Sequence, residues 1–319
     1  MRRIRFWGTR GSLPVALTTP AVRAKVVAAL RGASGRSFDS DEEIGRYVDA
    51  LPLVVGGTFG GHTACVEIET GAPAYVVCDL GSGLRPFGQA AIARHGPAAP
   101  QTYHLFVSHL HWDHIMGLPF FGPAYIPGNR LVFYGAHRDL EAALRRQMEP
   151  PSFPVNFSVF NAAIEFVHLD PDQVHDVAGM RVSLKRQHHT GDSYGYRFER
   201  DGHVVVYSTD SEHTFEDPNE SAGFAKFFHK ANVVIFDAMY SLAEAISVKA
   251  DWGHSSNVVG VELCQLAEAR ELCLFHHEPA LDDAALTAML EETQRYEEIT
   301  RTGEPLRVSA AYDGLELTL

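Results

Sequence analysis

Residues 108–117 read SHLHWDHIMG and place His109, His111, Asp113 and His114 within six positions, directly after an apolar, strand-like run at 103–107. Three imidazoles and a carboxylate this close make the donor set of a metal site. Imidazole suits zinc and iron, and a carboxylate can join or bridge the coordination shell. Side chains two apart in extended chain point the same way, so His109 and His111 can share one ion. Asp113 and His114 follow the turn and can face a second. A dinuclear centre needs more ligands than one turn provides. Three later stretches end an apolar strand on a polar residue. QHHTGDSYGYRF offers His188 and His189, with His189 the favoured ligand and His188 its neighbour. VVVYSTDSEH stops at Thr209 and Asp210, where a carboxylate can bridge two ions. LCLFHHEP offers His276 and His277, of which His276 is favoured.

Such residues must be carried by strand ends, and the surrounding pattern supplies them. A first strand at 3–7 ends at Gly8 and Gly11. The next stretch breaks the pattern: helices are expected at 20–30 and 41–51, forming an insertion near the site mouth that serves as lid, dimer arm or decoration. GGTFGGHT is a glycine-rich turn leading into strands at 64–69 and 74–79, the second ending in DLGSG. Those glycines fit tight turns better than a phosphate cradle. Further strands are expected at 105–108, 130–134, 164–169, 180–186, 193–200, 203–208, 232–237, 272–275 and 306–318. Helices are expected at 138–148, 255–269 and 282–298. The loop PPSFPVNFSVF suits a pocket wall, and its Phe153, Phe157 and Phe160 either stack on a base or fill the core. No linker or low-complexity tract interrupts the chain. The expected organisation is one domain over 1–319 with two similar halves and a helical insertion at about 13–56.

Taken in order, HLHWDH, HTGDSYGYRF, YSTD and FHH resemble the metallo-β-lactamase superfamily. The resemblance runs over nearly the whole chain, from FWGTRGS to the last helix and strand. HLHWDH is its specific part, and the others gain weight from their order. It implies an α/β protein, a four-layer αββα metallo-β-lactamase sandwich with metals at one edge of two sheets. It further implies that His109, His111 and His189 hold one ion, that Asp113, His114 and His276 hold the other, and that Asp210 bridges. The stretch FDAMYSLAEAISVKADWGHSS puts Asp237 at a strand end and His254 at a helix start. This is similar to the phosphodiesterase branch that includes ribonuclease Z and the cyclic phosphodiesterases, where an acidic residue after a strand pairs with the histidine of a GHS motif. GGHTACVEIE and FWGTRGSLP are similar to small bacterial members of that branch. The family usually has Asn where this chain has His62. The lesser alternative for His254 is a plain helix-capping or surface histidine. His62, His95, His104, His137, His168, His175, His203, His213 and His229 lack this context and read as structural or solvated, with His62 and His213 open to lying near the pocket.

The expected chemistry is hydrolysis of a phosphodiester, a cyclic nucleotide or other small cyclic phosphate, by attack of a metal hydroxide on phosphorus. Two divalent cations are the cofactors, zinc first, with manganese and iron also fitting the donor set. Asp113 and Asp210 would orient the nucleophile. His254, oriented by Asp237, would protonate or neutralise the leaving alkoxide. The catalytic set is therefore Asp113, Asp237 and His254. Ser108 and the cysteines need no nucleophilic role. One alternative is transfer-RNA 3′ processing, which normally needs a basic, glycine-rich arm that is not visible here. Another is hydrolysis of a lactone, thioester or β-lactam. A third is not hydrolytic: an iron redox reaction or a binding or biosynthetic accessory role. A net charge of −13 argues against an extended nucleic-acid surface and leaves a small anionic phosphodiester as the partner. No run approaches the ~20 apolar residues of a membrane span. The amino terminus lacks a secretory pattern and the four cysteines are scattered, so a cytoplasmic location with reduced thiols is expected. A homodimer is common in related proteins and oligomeric state stays open.

Overall fold

The computed structural model describes residues 1–213, 218–240 and 253–319. Two sheets of seven strands each carry the molecule. The first contains β1 (Arg3–Gly8), β2 (Cys65–Glu69), β3 (Tyr75–Cys78), β4 (Thr102–Phe106), β5 (Arg130–Gly135), β6 (Ala163–His168) and the final strand β14 (Glu316–Thr318), in the order β14-β1-β2-β3-β4-β5-β6. The second contains β7 (Val174–Val177), β8 (Met180–Gln187), β9 (Ser193–Arg200), β10 (His203–Ser208), β11 (Val233–Asp237), β12 (Glu271–Phe275) and β13 (Arg307–Ala310), in the order β13-β12-β11-β10-β9-β8-β7. In both sheets, three antiparallel pairings give way to three parallel ones.

Strands covered on both faces read as unbroken apolar runs. β3, β11 and β12 are buried along their whole length for that reason. Alternate residues serve different cores. Val76 and Cys78 face between the sheets, with Phe106, Tyr134, Val182, Tyr196, Phe198, Val205 and Ile235. Tyr75 and Val77 face outward, onto Leu84, Phe87 and Ala91 of the helix Leu84–His95 and Leu140 and Leu144 of the helix Leu140–Arg146. On the far side, Val234, Phe236, Leu272 and Leu274 pack against the helices Pro218–Phe228, Asn257–Leu266 and Asp283–Thr300. Helices, sheet, sheet and helices thus make four layers around three apolar seams. Each fully buried large side chain in them contributes roughly 1.5–3 kcal/mol.

Strand direction, more than packing, decides where polar side chains can gather. β3, β4 and β5 are parallel, so their carboxyl ends share one edge. β10, β11 and β12 are parallel, and β8 runs the same way as β10 because each is antiparallel to β9. The carboxyl ends of such strands are where open α/β sheets assemble binding crevices.

Several elements differ from the sequence reading. The helices Leu84–His95 and Pro218–Phe228 and the strand β7 were not expected. The expected last strand is two strands, β13 and β14, placed in opposite sheets; Gly314, with φ of +96°, lies in the turn between them. The region 13–56 forms the helices Thr19–Gly32, Asp41–Asp49 and Leu53–Gly56, none of which buries a residue. Lys25 anchors the first to the main body by pairing with Asp283 at 2.6 Å. Among the described residues, no helix is long and apolar enough to cross a membrane.

Candidate metal centre

The residues singled out in the sequence converge on the shared strand edge. Two groups form there, each with donor atoms within 4.8 Å of one another: His109, His111, His189 and Asp210, and Asp113, His114 and His276. Asp210 faces both. Its Oδ1 lies 3.1 Å from His114 Nε2 and 3.3 Å from His276 Nε2, while Oδ2 lies 3.6 Å from His109 Nε2 and from His189 Nε2. Two pairs of imidazole nitrogens confront each other directly, His189 Nε2 with His111 Nδ1 at 3.0 Å and His114 Nε2 with His276 Nε2 at 3.2 Å. His109 Nε2 is buried with no hydrogen-bond partner. Converging nitrogen lone pairs, ionised carboxylates and an orphaned buried nitrogen all fit divalent cations.

The electrostatics agree. Burial, then the neighbouring His114, lowers the basicity of His109 strongly; burial, then His189, lowers that of His111, and burial lowers that of His189 despite Asp210. These three rings are therefore neutral, as ligands must be. Burial opposes ionisation of Asp113 and Asp210, yet the adjacent imidazoles outweigh it and hold both carboxyls well below their ordinary range. His114 stands apart: burial disfavours its charge, but Asp210, Asp113 and Asp79 together hold a proton on it. A positive charge is wanted at this point, and a cation meets the same demand.

Each side chain is fixed by what lies behind it. Asp79, at the end of β3, is completely buried. It accepts from Ser108 N at 2.7 Å, Ser108 Oγ at 2.7 Å, His114 Nδ1 at 2.7 Å and Tyr207 OH at 2.7 Å. His189 Nδ1 donates to the Gly253 carbonyl at 2.8 Å. Ser12 N donates to Asp113 Oδ2 at 2.8 Å, and Gly11 lies so close to His276 that a Cβ there would sit 2.5 Å from the ring. Such partners orient ligand rings and tune their basicity. Ser12, Asp79, Asp210 and His276 all have positive φ. Backbone strain of this kind gathers at functional sites and costs of order 1 kcal/mol or more per residue.

Asp237 and His254 also reach this edge. His254 Nδ1 donates to Asp237 Oδ2 at 2.9 Å, and the His254 ring stacks on His276 with centroids 5.0 Å apart. A ring nitrogen of His254 lies within 4.8 Å of donor atoms of Asp210 and His276. Burial would lower its basicity, but Asp237, helped by Asp210 and Asp113, raises it to about 9. The intervening stretch 241–252 of the segment around GHS lies outside the described residues.

Every residue named from sequence as ligand or catalytic group therefore stands at one place. Of the adjacent histidines, His188 turns outward to Glu220 at 2.6 Å, and His277 is held by the Ala311 carbonyl at 2.8 Å. His62 meets Ser82 Oγ at 3.1 Å. His213 is enclosed by Phe224, Phe228 and Phe236. All four cysteines are free and buried. Sequence reasoning missed the supports Asp79, Ser108, Tyr207, Gly11 and Ser12. Asp79 carried a usable signal, since it too is a polar residue where an apolar strand stops.

Comparison with known proteins gives a consistent picture. The model of the beta-lactamase superfamily domain matches residues 75–277, more than half of the chain. A Ribonuclease Z of Staphylococcus epidermidis is 27% identical over 128 residues, which span 38% of this chain and 38% of that relative. Among solved structures, the metallo-beta-lactamase fold protein YhfI from Bacillus subtilis superposes with a TM-score of 0.64 at 16% identity, covering 100% of this chain and 99% of that one. A diphosphatase from the PhnP family gives 0.59 at 18% identity, with 100% and 98% covered. The short form of human tRNase Z gives 0.58 at 18%, with 99% and 98% covered. At these identities the solved structures speak for the fold alone.

Proposed function

This chain belongs to the beta-lactamase superfamily, and on that premise we propose that it is a metal-dependent hydrolase of phosphodiesters, acting on a cyclic nucleotide or other small cyclic phosphate. The fold implies divalent metal ions, and zinc is the ion we assign first. His109, His111 and His189 would hold one, Asp113, His114 and His276 the other, with Asp210 between them. When bound, the pair would supply Lewis acidity and lower the pKa of a shared water toward neutrality. Asp113 and Asp210, ionised and buried, would orient that water.

The observation that carries the reading is the pairing of His254 with Asp237 beside the ligand cluster. An alkoxide leaving group needs a proton, and a carbonyl hydrolase has less need of this arrangement. Asp237 accepts from Ser211 N at 3.0 Å and Met239 N at 3.2 Å, so its carboxylate is fixed and aims the His254 tautomer. The protonated imidazole favoured by Asp237 can donate to the departing oxygen. Cations nearby would draw its affinity for the proton down toward neutral pH, where a general acid works best.

The net charge of −13 supports a small anionic substrate over a long nucleic acid. The partial match to a Ribonuclease Z keeps transfer-RNA 3′ processing as the arm to exclude. The deciding assay offers metal-reconstituted protein bis(p-nitrophenyl) phosphate, cyclic mononucleotides, precursor transfer RNA and a lactone. Diester turnover is expected, reduced ~10²–10⁴-fold in His254→Ala. Lactone turnover without diester turnover, or diester turnover indifferent to His254, would overturn the reading.

A further inference from the structure

We propose that the groove beside the metal turn is the subsite for a planar aromatic ring of the substrate, with Trp112 and Phe120 as its stacking faces. Its role in substrate choice rests on the phosphodiester reading. The short helix Trp112–Ile115 divides its side chains. Asp113 and His114 turn to the ligand cluster, while Trp112 and Ile115 line a groove of about 540 Å³ on the other side. That volume falls within the ~300–1,000 Å³ of small-ligand sites.

Exposure points to an occupant. Trp112 is 62% exposed and Phe120 57% exposed, and every other large exposed apolar side chain among the described residues is aliphatic. The two exposed aromatic rings thus lie in one groove, and Trp112 follows His111, the exposed ligand, by a single Cα step of ~3.8 Å. Leu110 and Trp112, the two chain neighbours of His111, both line the groove, which sets it next to the open ligand. Phe153 backs the groove, meeting Phe120 edge to face at 5.8 Å. Arg146 lines it too and has no carboxylate partner among the described residues, whereas its neighbour Arg145 is tied to Glu141. An aromatic slot with one spare cation suits a ring attached to an anion. Phe157, by contrast, is buried against Phe160 and Phe166, so it belongs to the core.

The test reads binding, not turnover. Zinc-loaded protein is titrated with AMP, phenyl phosphate and glycerol 3-phosphate, which share a phosphate and differ in the ring. The ringed ligands are expected to bind more tightly, and that advantage should shrink about tenfold or more in Trp112→Ala and in Phe120→Ala. Metal content is measured for each variant. Should Trp112→Ala lose metal, Phe120→Ala decides, since it lies outside the ligand run. A ring preference that is absent, or that survives the deciding variant, overturns the proposal. Failure to cleave any diester, with the ring preference intact, would sink the function proposed above and leave this subsite standing.

Discussion

The two clusters proposed to hold metal share an edge and face the same carboxylate, Asp210, yet they live in different surroundings. Asp113, His114 and His276 are all buried. In the other cluster His109 and Asp210 are buried, His189 is half-buried and His111 is exposed. Support follows burial: Asp79 holds His114, Ser12 holds Asp113 and Gly11 makes room for His276. His111 meets the His189 nitrogen and the edge of the His109 ring, and His189 leans on the Gly253 carbonyl. The lesson is a division of labour. One position is built into the fold, and the other is left open for whatever must approach.

The largest test removes what the clusters share. Asp210→Ala should lower diester turnover by about 10³-fold and leave fewer than two ions per chain by elemental analysis. Two retained ions would mean that the clusters are independent. Next comes a test of the contrast itself. In chelator, His114→Ala should cost about 3–5 kcal/mol in urea unfolding, because it takes from the buried Asp79 its imidazole partner and leaves only neutral donors. His111→Ala should stay within ~0.5 kcal/mol, as exposed substitutions do. Equal costs would erase the distinction between built-in and open positions.

A smaller effect isolates burial from metal binding. His213 is fully enclosed, and burial, with His188 and Lys185 adding to it, pushes its pKa down to about 3. Folded, the ring stays neutral; unfolded, it takes a proton below pH ~6.5. Stability should therefore be unaffected above pH ~6.5 and fall as pH drops toward 3, by up to about 1.4 kcal/mol per unit. Urea unfolding of His213→Phe between pH 4 and 7 should show a shallower slope than the parent; an identical slope would clear His213 of the effect. The smallest change is expected from His188→Ala. This ring is exposed and faces Glu220, so metal content should be unchanged and stability should move by less than ~0.5 kcal/mol. Loss of an ion there would reassign the ligand from His189 to its neighbour.

The open cluster and the buried one are also unequally legible in the sequence. HLHWDH declares itself because one turn holds four donors. His189, Asp210 and His276 are readable only through a rule, that a polar residue closing an apolar strand sits at a sheet edge. The rule applies equally to Asp79, but its glycine neighbours draw the reading toward a turn. What Asp79 does depends on Ser108 and Tyr207, which reach it only in the folded chain. The helix Leu84–His95 is obscured by Gly88, where an added Cβ would lie 2.8 Å from the Phe121 ring. β13 and β14 have similar apolar patterns, and nothing local says that they enter different sheets. Phe153 and Phe157 look alike in sequence; only packing sends one to the groove and the other to the core.

Under the proposed assignment, the donors come from both sheets: one turn after β4 supplies four, and the ends of β8, β10 and β12 supply the rest. Each ion then works as a hasp across a book, clasping two covers along a single margin. At a free concentration a hundred times its dissociation constant, an ion that binds only the folded form adds about 2.7 kcal/mol to stability. On that assignment, starving the protein of metal would loosen the clasp between its sheets as well as remove the proposed activity.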